Sequence, residues 1–270
     1  MLFVNYMQLI HYIENLQAKG KLWFTRAEAQ EALDCSKIAL KRAIERLQQK
    51  NRVALIKPQF LVIVPIEYKD WGIIPGNWFI APLMATLNCS YYIGILSAAE
   101  LYGAAHQKSQ ELQVITNKVI RSIKVGRILI QFLYCVKQNL VPTERLQVKT
   151  GYINVATREA TAFDLCKYYR VGGYWHNVAT ILSELKGQLD PTKLDSLATS
   201  NLYELPVIQR LGFLLSLPEV GGAALVNNLQ KFIIQKNARW IPLQPGKNLT
   251  GVKRDFNWRI YINEEVEVDV

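Results

Sequence analysis

Apolar residues recur at helical spacing at Leu9, Ile10, Ile13 and Leu16, and Gly20 closes the run, so a first helix is expected over Met7 to Gln17. Thr25-Arg26-Ala27-Glu28 has the form of a capping box, in which the Thr hydroxyl accepts from the N–H three residues on and the Glu reaches back. A short helix ending near Leu33 follows from it. Asp34-Cys35 reads as a turn, and Ser36 as the N-cap of a second helix reaching about Gln49, with Leu40, Ala43, Ile44 and Leu47 on its apolar face. Two strand-like runs come next, Val53 to Ile56 and Phe60 to Val64, joined at Lys57-Pro58-Gln59. Helix, turn, helix, β-ribbon is the order of a winged helix-turn-helix, whose second helix enters the DNA major groove.

Beyond the ribbon the pattern changes. Pro65 to Pro75 reads as a connector whose apolar residues pack on a neighbour, and Asn77 to Leu87 as a helix with Pro82 near its start. Ile95 to Ala105 has helical spacing, and strands are expected at Leu112 to Thr116, Arg127 to Tyr134 and Gly151 to Val155. After Thr157, a further N-cap candidate, helical patterns dominate: Ala160 to Tyr169, Asn177 to Lys186, Pro191 to Ala198, Pro206 to Leu217 and Leu225 to Lys236. Pro191 and Pro206 stand in first turns, where a missing N–H costs little. The tail turns extended again around Asp255 to Ile262. The expected fold is α+β: a winged helix-turn-helix over residues 1–66, a connector and helix over 67–88, and a larger mixed domain over 89–270 with a helical C-terminal half.

Charge sharpens the first part of that picture. From Ser36 to Lys57 there are seven Lys/Arg against one acid. Ser36 and Lys37 at a helix N-terminus suit a phosphate oxygen. Lys41 and Arg42, one turn on, are placed to reach base edges, and Lys57 and Gln59 would lie over the adjacent backbone with Arg26 nearby. A solvated surface face is the plainer explanation for any single Lys; the ordered combination of cap, turn, amphipathic helix and ribbon favours DNA. A second basic stretch, Lys108 to Lys149, holds eight Lys/Arg against two acids. Arg121, Lys124 and Arg127 alternate around Ile123 and Val125, as on a hairpin with one positive side. That stretch reads either as a second phosphate track or as a solvated loop.

A formal net charge of +10 and a pI near 9.4 favour an anionic partner. Two domains suit 270 residues. Cys35, Cys89, Cys135 and Cys166 lack C-x-x-C spacing, which argues against a zinc site or a disulfide framework and fits a reducing compartment. The first ten residues lack signal-peptide features, and no apolar run is long enough for a membrane span. A cytoplasmic protein without membrane attachment is expected.

Catalytic constellations are sparse. Glu184-Leu185-Lys186 has the E-x-K form of metal-dependent nucleases, but it falls late in a helical run with no preceding acidic partner on a strand, so a solvated helix end is the better reading. His11, His106 and His176 are far apart; His106 either contacts nucleic acid or caps the Gly103 turn, the latter preferred, and His176 beside Trp175 reads as structural. Val171-Gly172-Gly173 lacks the rest of a phosphate loop. No enzyme activity, cofactor or metal is expected. The alternatives are a winged-helix regulator whose larger domain senses a ligand, and a nuclease using Glu184 and Lys186.

Several ordered blocks resemble the AbiEi family of antitoxin regulators: Y-Y-I-G-I-L-S-A-A-E-L-Y-G-A-A-H-Q at Tyr91 to Gln107, G-Y-I-N-V-A-T-R-E-A-T-A-F-D at Gly151 to Asp164, and G-G-Y-W-H-N-V-A-T-I-L-S-E-L at Gly172 to Leu185. Gln209-Arg210-Leu211-Gly212 and the stretch from Asp255 to Asp269, with W-R-I-Y-I-N before an acidic end, also fit. The resemblance implies a bacterial antitoxin of a type IV toxin–antitoxin pair linked to phage defence, and an autorepressor binding inverted repeats in its own promoter. It further implies a neighbouring nucleotidyltransferase toxin neutralised without a stable complex. By position in the winged helix, Ser36, Lys37, Lys41, Arg42 and Lys57 would inherit the DNA role. No segment resembles the G-S and paired Asp signature of a nucleotidyltransferase, so the chain is not the toxin half.

Overall fold

The computed structural model describes residues 6–104 and 111–268. In chain order these form α1 (Tyr6–Ala18), β1 (Trp23–Thr25), α2 (Arg26–Ala32), α3 (Lys37–Gln49), β2 (Val53–Lys57), β3 (Phe60–Ile63), α4 (Ile80–Thr86), β4 (Tyr91–Ile93), α5 (Ile95–Leu101), β5 (Glu111–Thr116), β6 (Ile123–Val125), β7 (Ile128–Tyr134), β8 (Thr143–Val148) and β9 (Gly151–Ala156). Then follow α6 (Arg158–Lys167), α7 (Tyr174–Leu185), α8 (Pro191–Thr199), α9 (Leu205–Ser216), α10 (Asn227–Gln235), β10 (Ile241–Pro242), β11 (Lys253–Asp255) and β12 (Ile260–Ile262). The architecture is mixed α+β, with ten α-helices and three sheets among the described residues. His106 and Lys108 lie outside the described residues, as does Asp269.

The chain forms two compact units, one comprising residues 1–91, 110–136 and 145–154, the other 92–109, 137–144 and 155–270. In the first, β1, β3 and β2 make an antiparallel sheet with β3 in the middle. Leu9 and Ile13 of α1, Phe24, Ala29, the apolar face of α3, and Leu61 and Ile63 of β3 share one buried core. In the same unit β7 lies between β6 and β5, antiparallel to β6 and parallel to β5 from Glu111↔Leu129 to Thr116↔Tyr134.

In the second unit, Ile93 of β4 pairs in parallel with Val155 of β9. Helix α6 is buried on all sides from Glu159 to Cys166, which a peripheral amphipathic helix would not be. Its buried polar residues find partners elsewhere in the unit: Glu159 accepts from the Asp190 N–H at 3.0 Å. Helix α9 packs under the small sheet β10-β12-β11, where the Trp258 ring lies over Gly212. A Cβ at Gly212 would come within 2.1 Å of that ring.

Two helices and four strands differ from the sequence expectation. The helix expected over Asn77 to Leu87 is a 3₁₀ turn at Gly76–Trp78 followed by α4. The helix expected over Ile95 to Ala105 ends at Leu101, because the chain turns at Gly103 with φ of +76°. Strands β1, β4, β8 and β10 add to the expected set; β1, β4 and β10 are only two or three residues long, and β8 alternates exposed and half-buried positions without an apolar run.

Candidate nucleic-acid interface

Local chemistry sets the two helices that follow β1. Thr25 and Glu28 form the full capping box: the Thr25 N–H donates to Glu28 Oε2 at 2.7 Å, and the Glu28 N–H donates to Thr25 Oγ1 at 3.2 Å. Burial alone would raise the Glu28 carboxyl, but hydrogen bonds from Lys21 and Thr25 outweigh it and hold it below the usual carboxylate range. Asp34 turns the chain with φ of +45° in the link to α3. Ser36 caps α3 by accepting from the Ala39 N–H at 3.2 Å.

Helix α3 then divides cleanly. Leu40, Ala43, Ile44 and Leu47 are buried, while Lys37, Ile38, Lys41, Arg42 and Arg46 are exposed. Lys41 stands 3.9 Å from Glu45, with both side chains more than half exposed. Such a pair contributes a few tenths of a kcal/mol, so the Lys41 ammonium is readily drawn to a stronger anion. The ribbon carries Lys57 half-buried and Gln59 exposed, and a bulge between Leu55 and Lys57 bends β2 before the turn. Arg26 is partly committed within the fold. Its Nε donates to the Pro58 carbonyl at 2.7 Å and its N–H to the Gln59 carbonyl at 3.0 Å, joining the start of α2 to the ribbon tip.

The β6–β7 hairpin presents the second set of cations. Ile123 is buried, and Arg121, Lys124 and Arg127 are exposed. Gly126 makes the turn with φ of +55°, and a Cβ there would meet the Trp71 carbonyl at 2.3 Å. The Arg127 guanidinium lies 5.9 Å over the Trp71 ring, itself nearly half exposed. The connector thus docks on the hairpin through Trp71, an association that the apolar content of residues 65–75 anticipates without locating.

Glu184 and Lys186 stand at the end of α7, yet Lys186 is not the solvated helix end expected: its ammonium donates to the Val220 carbonyl at 2.5 Å. His176 Nδ1 accepts from the Glu267 N–H at 3.0 Å. Among the described residues none of the four cysteines forms a disulfide. Among the described residues no group of three or more His, Cys, Asp or Glu is placed to hold a metal ion.

One polar centre has no counterpart in the sequence reading. Asp164 is buried on α6; Tyr92 donates to its Oδ2 at 3.0 Å and Tyr203 to its Oδ1 at 3.1 Å. Burial pushes the Asp164 carboxyl up to about 7, opposed by Tyr92, Lys167 and Tyr203. Phe163 stacks on the Tyr203 ring at 4.6 Å, closing one side. Asp164 ends the Gly151 to Asp164 block, but a lone Asp in a helical run says nothing about two tyrosines 72 residues before and 39 after it.

Residues 92–217 match the family model of the AbiEi antitoxin C-terminal domain. No curated protein sequence matches the chain. Among solved structures, the crystal structure of the RV2827C protein from Mycobacterium tuberculosis is similar, with a TM-score of 0.66 at 13% identity, covering 92% of this chain and 89% of that one. At that identity the likeness is one of fold. Among the described residues no helix is long and apolar enough to cross a membrane. Over residues 92–217, the stretch holding Tyr92, Asp164 and Tyr203, the chain is thus similar to the C-terminal domain of AbiEi antitoxins.

Proposed function

We propose that this protein is a winged-helix transcriptional repressor that serves as the antitoxin of a type IV toxin–antitoxin pair, bound to inverted repeats in its own promoter. One observation carries the DNA-binding half of the reading: Lys37, Lys41 and Arg42 are exposed along α3, opposite its buried face, in a helix-turn-helix followed by a ribbon. A helix seated in the major groove needs its cations on the side away from the core. Ser36 and Lys37 contact phosphate at the helix start, Lys41 and Arg42 reach base edges, and Lys57 and Gln59 follow the neighbouring backbone with Arg26 holding the ribbon tip. Arg121, Lys124 and Arg127 add a second phosphate track. The larger part of the chain works without catalysis, cofactor or metal. Its counterpart is a nucleotidyltransferase toxin encoded next door, countered in the cytoplasm without a stable complex.

The test is binding of the full chain to the duplex upstream of its own gene and to a scrambled duplex of equal length. Lys41→Ala and Arg42→Ala each cost about 1–3 kcal/mol on the specific site and much less on the scrambled one. Equal losses on both duplexes demote these residues to phosphate contacts. Co-expression with the adjacent gene tests the antitoxin half, with rescue of growth expected. DNA incubated with the protein and Mg²⁺ stays intact; cleavage abolished by Glu184→Ala overturns the non-enzymatic reading.

A further inference from the structure

The last three strands carry a surface that lies outside residues 92–217 and that the proposed DNA contact does not use. Strands β11 and β12 pair antiparallel with Arg254 opposite Tyr261 and Asp255 opposite Ile260. Side chains of a strand alternate between faces, so Arg254 and Tyr261 share one face while Ile260, fully buried, points into the other. Trp240, just before β10, joins the first group: its ring lies 5.3 Å from Tyr261 and 5.3 Å from Phe256, the latter edge-on at 88°. The Arg254 guanidinium lies 5.2 Å over Tyr261 and 5.9 Å over Trp240. Phe256 is 75% exposed, and Arg254 is also exposed.

A single exposed Phe needs no explanation. Two rings against a guanidinium, with a third edge-on to one of them, are a different matter, because they sit in a strongly basic segment. Residues 236–259 hold Lys236, Arg239, Lys247, Lys253, Arg254 and Arg259 against Asp255 alone. Part of this charge is used internally. Lys247 pairs with Glu264, and Arg259 donates to Asn237 at 2.7 Å and the Ala238 carbonyl at 2.6 Å. The Asp255 carboxylate accepts the Trp258 N–H at 2.8 Å, so the acid is engaged in holding the turn. Arg254, lying over two of the rings, and Arg239, next to Trp240 in the chain, remain exposed to solvent, whereas Lys253 projects from the other face of the strand.

We propose that Trp240, Arg254, Phe256 and Tyr261 form a stacking platform for single-stranded nucleic acid. Phe256 is exposed and Trp240 and Tyr261 are half-buried; rings open to solvent on a small sheet accept bases by stacking, whatever the base, and neighbouring cations attract the phosphates between them. A guanidinium adds a planar cation that stacks where an ammonium does not. Duplex DNA is the wrong ligand for this face, since its base planes are already covered by one another. A protein partner would need acidic character to match the cations, and acidic side chains gain nothing from flat rings. The platform shares no residue with α3, so it stands or falls independently of the promoter contact.

The experiment uses the full chain with fluorescein-labelled single strands of deoxythymidine and of uridine, and the promoter duplex as the contrasting ligand. The wild type binds single strands, and Phe256→Ala and Arg254→Ala each weaken that binding about tenfold, the scale of removing one base–ring stack, while duplex binding is unchanged. Lys41→Ala has the opposite pattern. Arg254→Lys, which keeps the charge, weakens single-strand binding nearly as much as Arg254→Ala. The strand more weakened by Phe256→Ala identifies RNA or DNA as the preferred chemistry. Phe256 is exposed, so its removal leaves folding intact, checked by circular dichroism. Single-strand affinity untouched in both alanine variants overturns the proposal. So does a Phe256→Ala change that splits a dimer in light scattering without altering single-strand binding, which assigns the face to a second copy.

Discussion

Arg26 and Pro58 are joined by a 2.7 Å hydrogen bond from the guanidinium Nε to the proline carbonyl. The bond ties the first residue of α2 to the ribbon tip 32 residues later, so the residue that opens one helix also fixes where Lys57 and Gln59 project. Arg26→Ala should lower stability by about 1 kcal/mol, the usual net contribution of such a bond at a half-exposed site. Urea denaturation followed by tryptophan fluorescence measures it. Arg26→Lys, which cannot supply the same planar donor, should recover little of the loss. An unchanged midpoint in both variants would show that the ribbon holds its position unaided.

The hairpin cations make a separate prediction. With Arg121, Lys124 and Arg127 all replaced by Ala, affinity should fall to a similar degree on promoter and scrambled duplexes. The slope of log affinity against log salt should shrink by roughly 0.9 for each phosphate no longer neutralised. Titrations at several salt concentrations decide it. A slope equal to that of the wild type removes the hairpin from the interface and leaves it a solvated surface.

Burial raises the Asp164 carboxyl from the ordinary carboxylate range to about 7. Between about pH 4 and 7 the folded chain therefore keeps a proton that the unfolded chain releases. Stability accordingly declines as pH rises through that window and levels off above it, an effect on the order of a few kcal/mol. Asp164→Asn keeps an oxygen for the tyrosine hydroxyls and carries no charge. Its melting temperature should be flatter from about pH 4 to 7 and higher than the wild type's at about pH 8. Parallel Tm profiles for the two proteins would refute the assignment.

Gly212→Ala tests the packing of α9 under the small sheet. The added Cβ would stand 2.1 Å from the Trp258 ring, which is buried and held by a hydrogen bond from its Nε1 to Ser216 at 3.0 Å. Overpacking of this kind costs about 1–3 kcal/mol, and more where the neighbour cannot move. A denaturation midpoint within error of the wild type would mean that the ring swings aside freely. Double replacement with Trp258→Phe, which frees space, should restore part of the loss.

What the residues determined by themselves is what depends on a few neighbours along the chain. The Thr25–Glu28 box, the Ser36 and Thr157 caps, the buried face of α3 and the placement of Pro191 and Pro206 in first turns all rest on interactions within about one helical turn, and all are found as read. The exposure of Lys37, Lys41 and Arg42 follows from the same helical period that buries Leu40 and Ile44. Tertiary structure alone decided which distant residues meet. Tyr92 reaches Asp164 across 72 residues, Arg26 is drawn to Pro58, Trp258 covers Gly212, and Trp240 comes beside Tyr261. Ile95, a β-branched residue, is held at φ of +55° with its side chain fully buried, which no local preference favours. Local preferences choose helix, cap and face because their energies are set by adjacent residues; the path of the whole chain chooses the neighbours, and with them the buried carboxyl and the cluster of rings around Trp240.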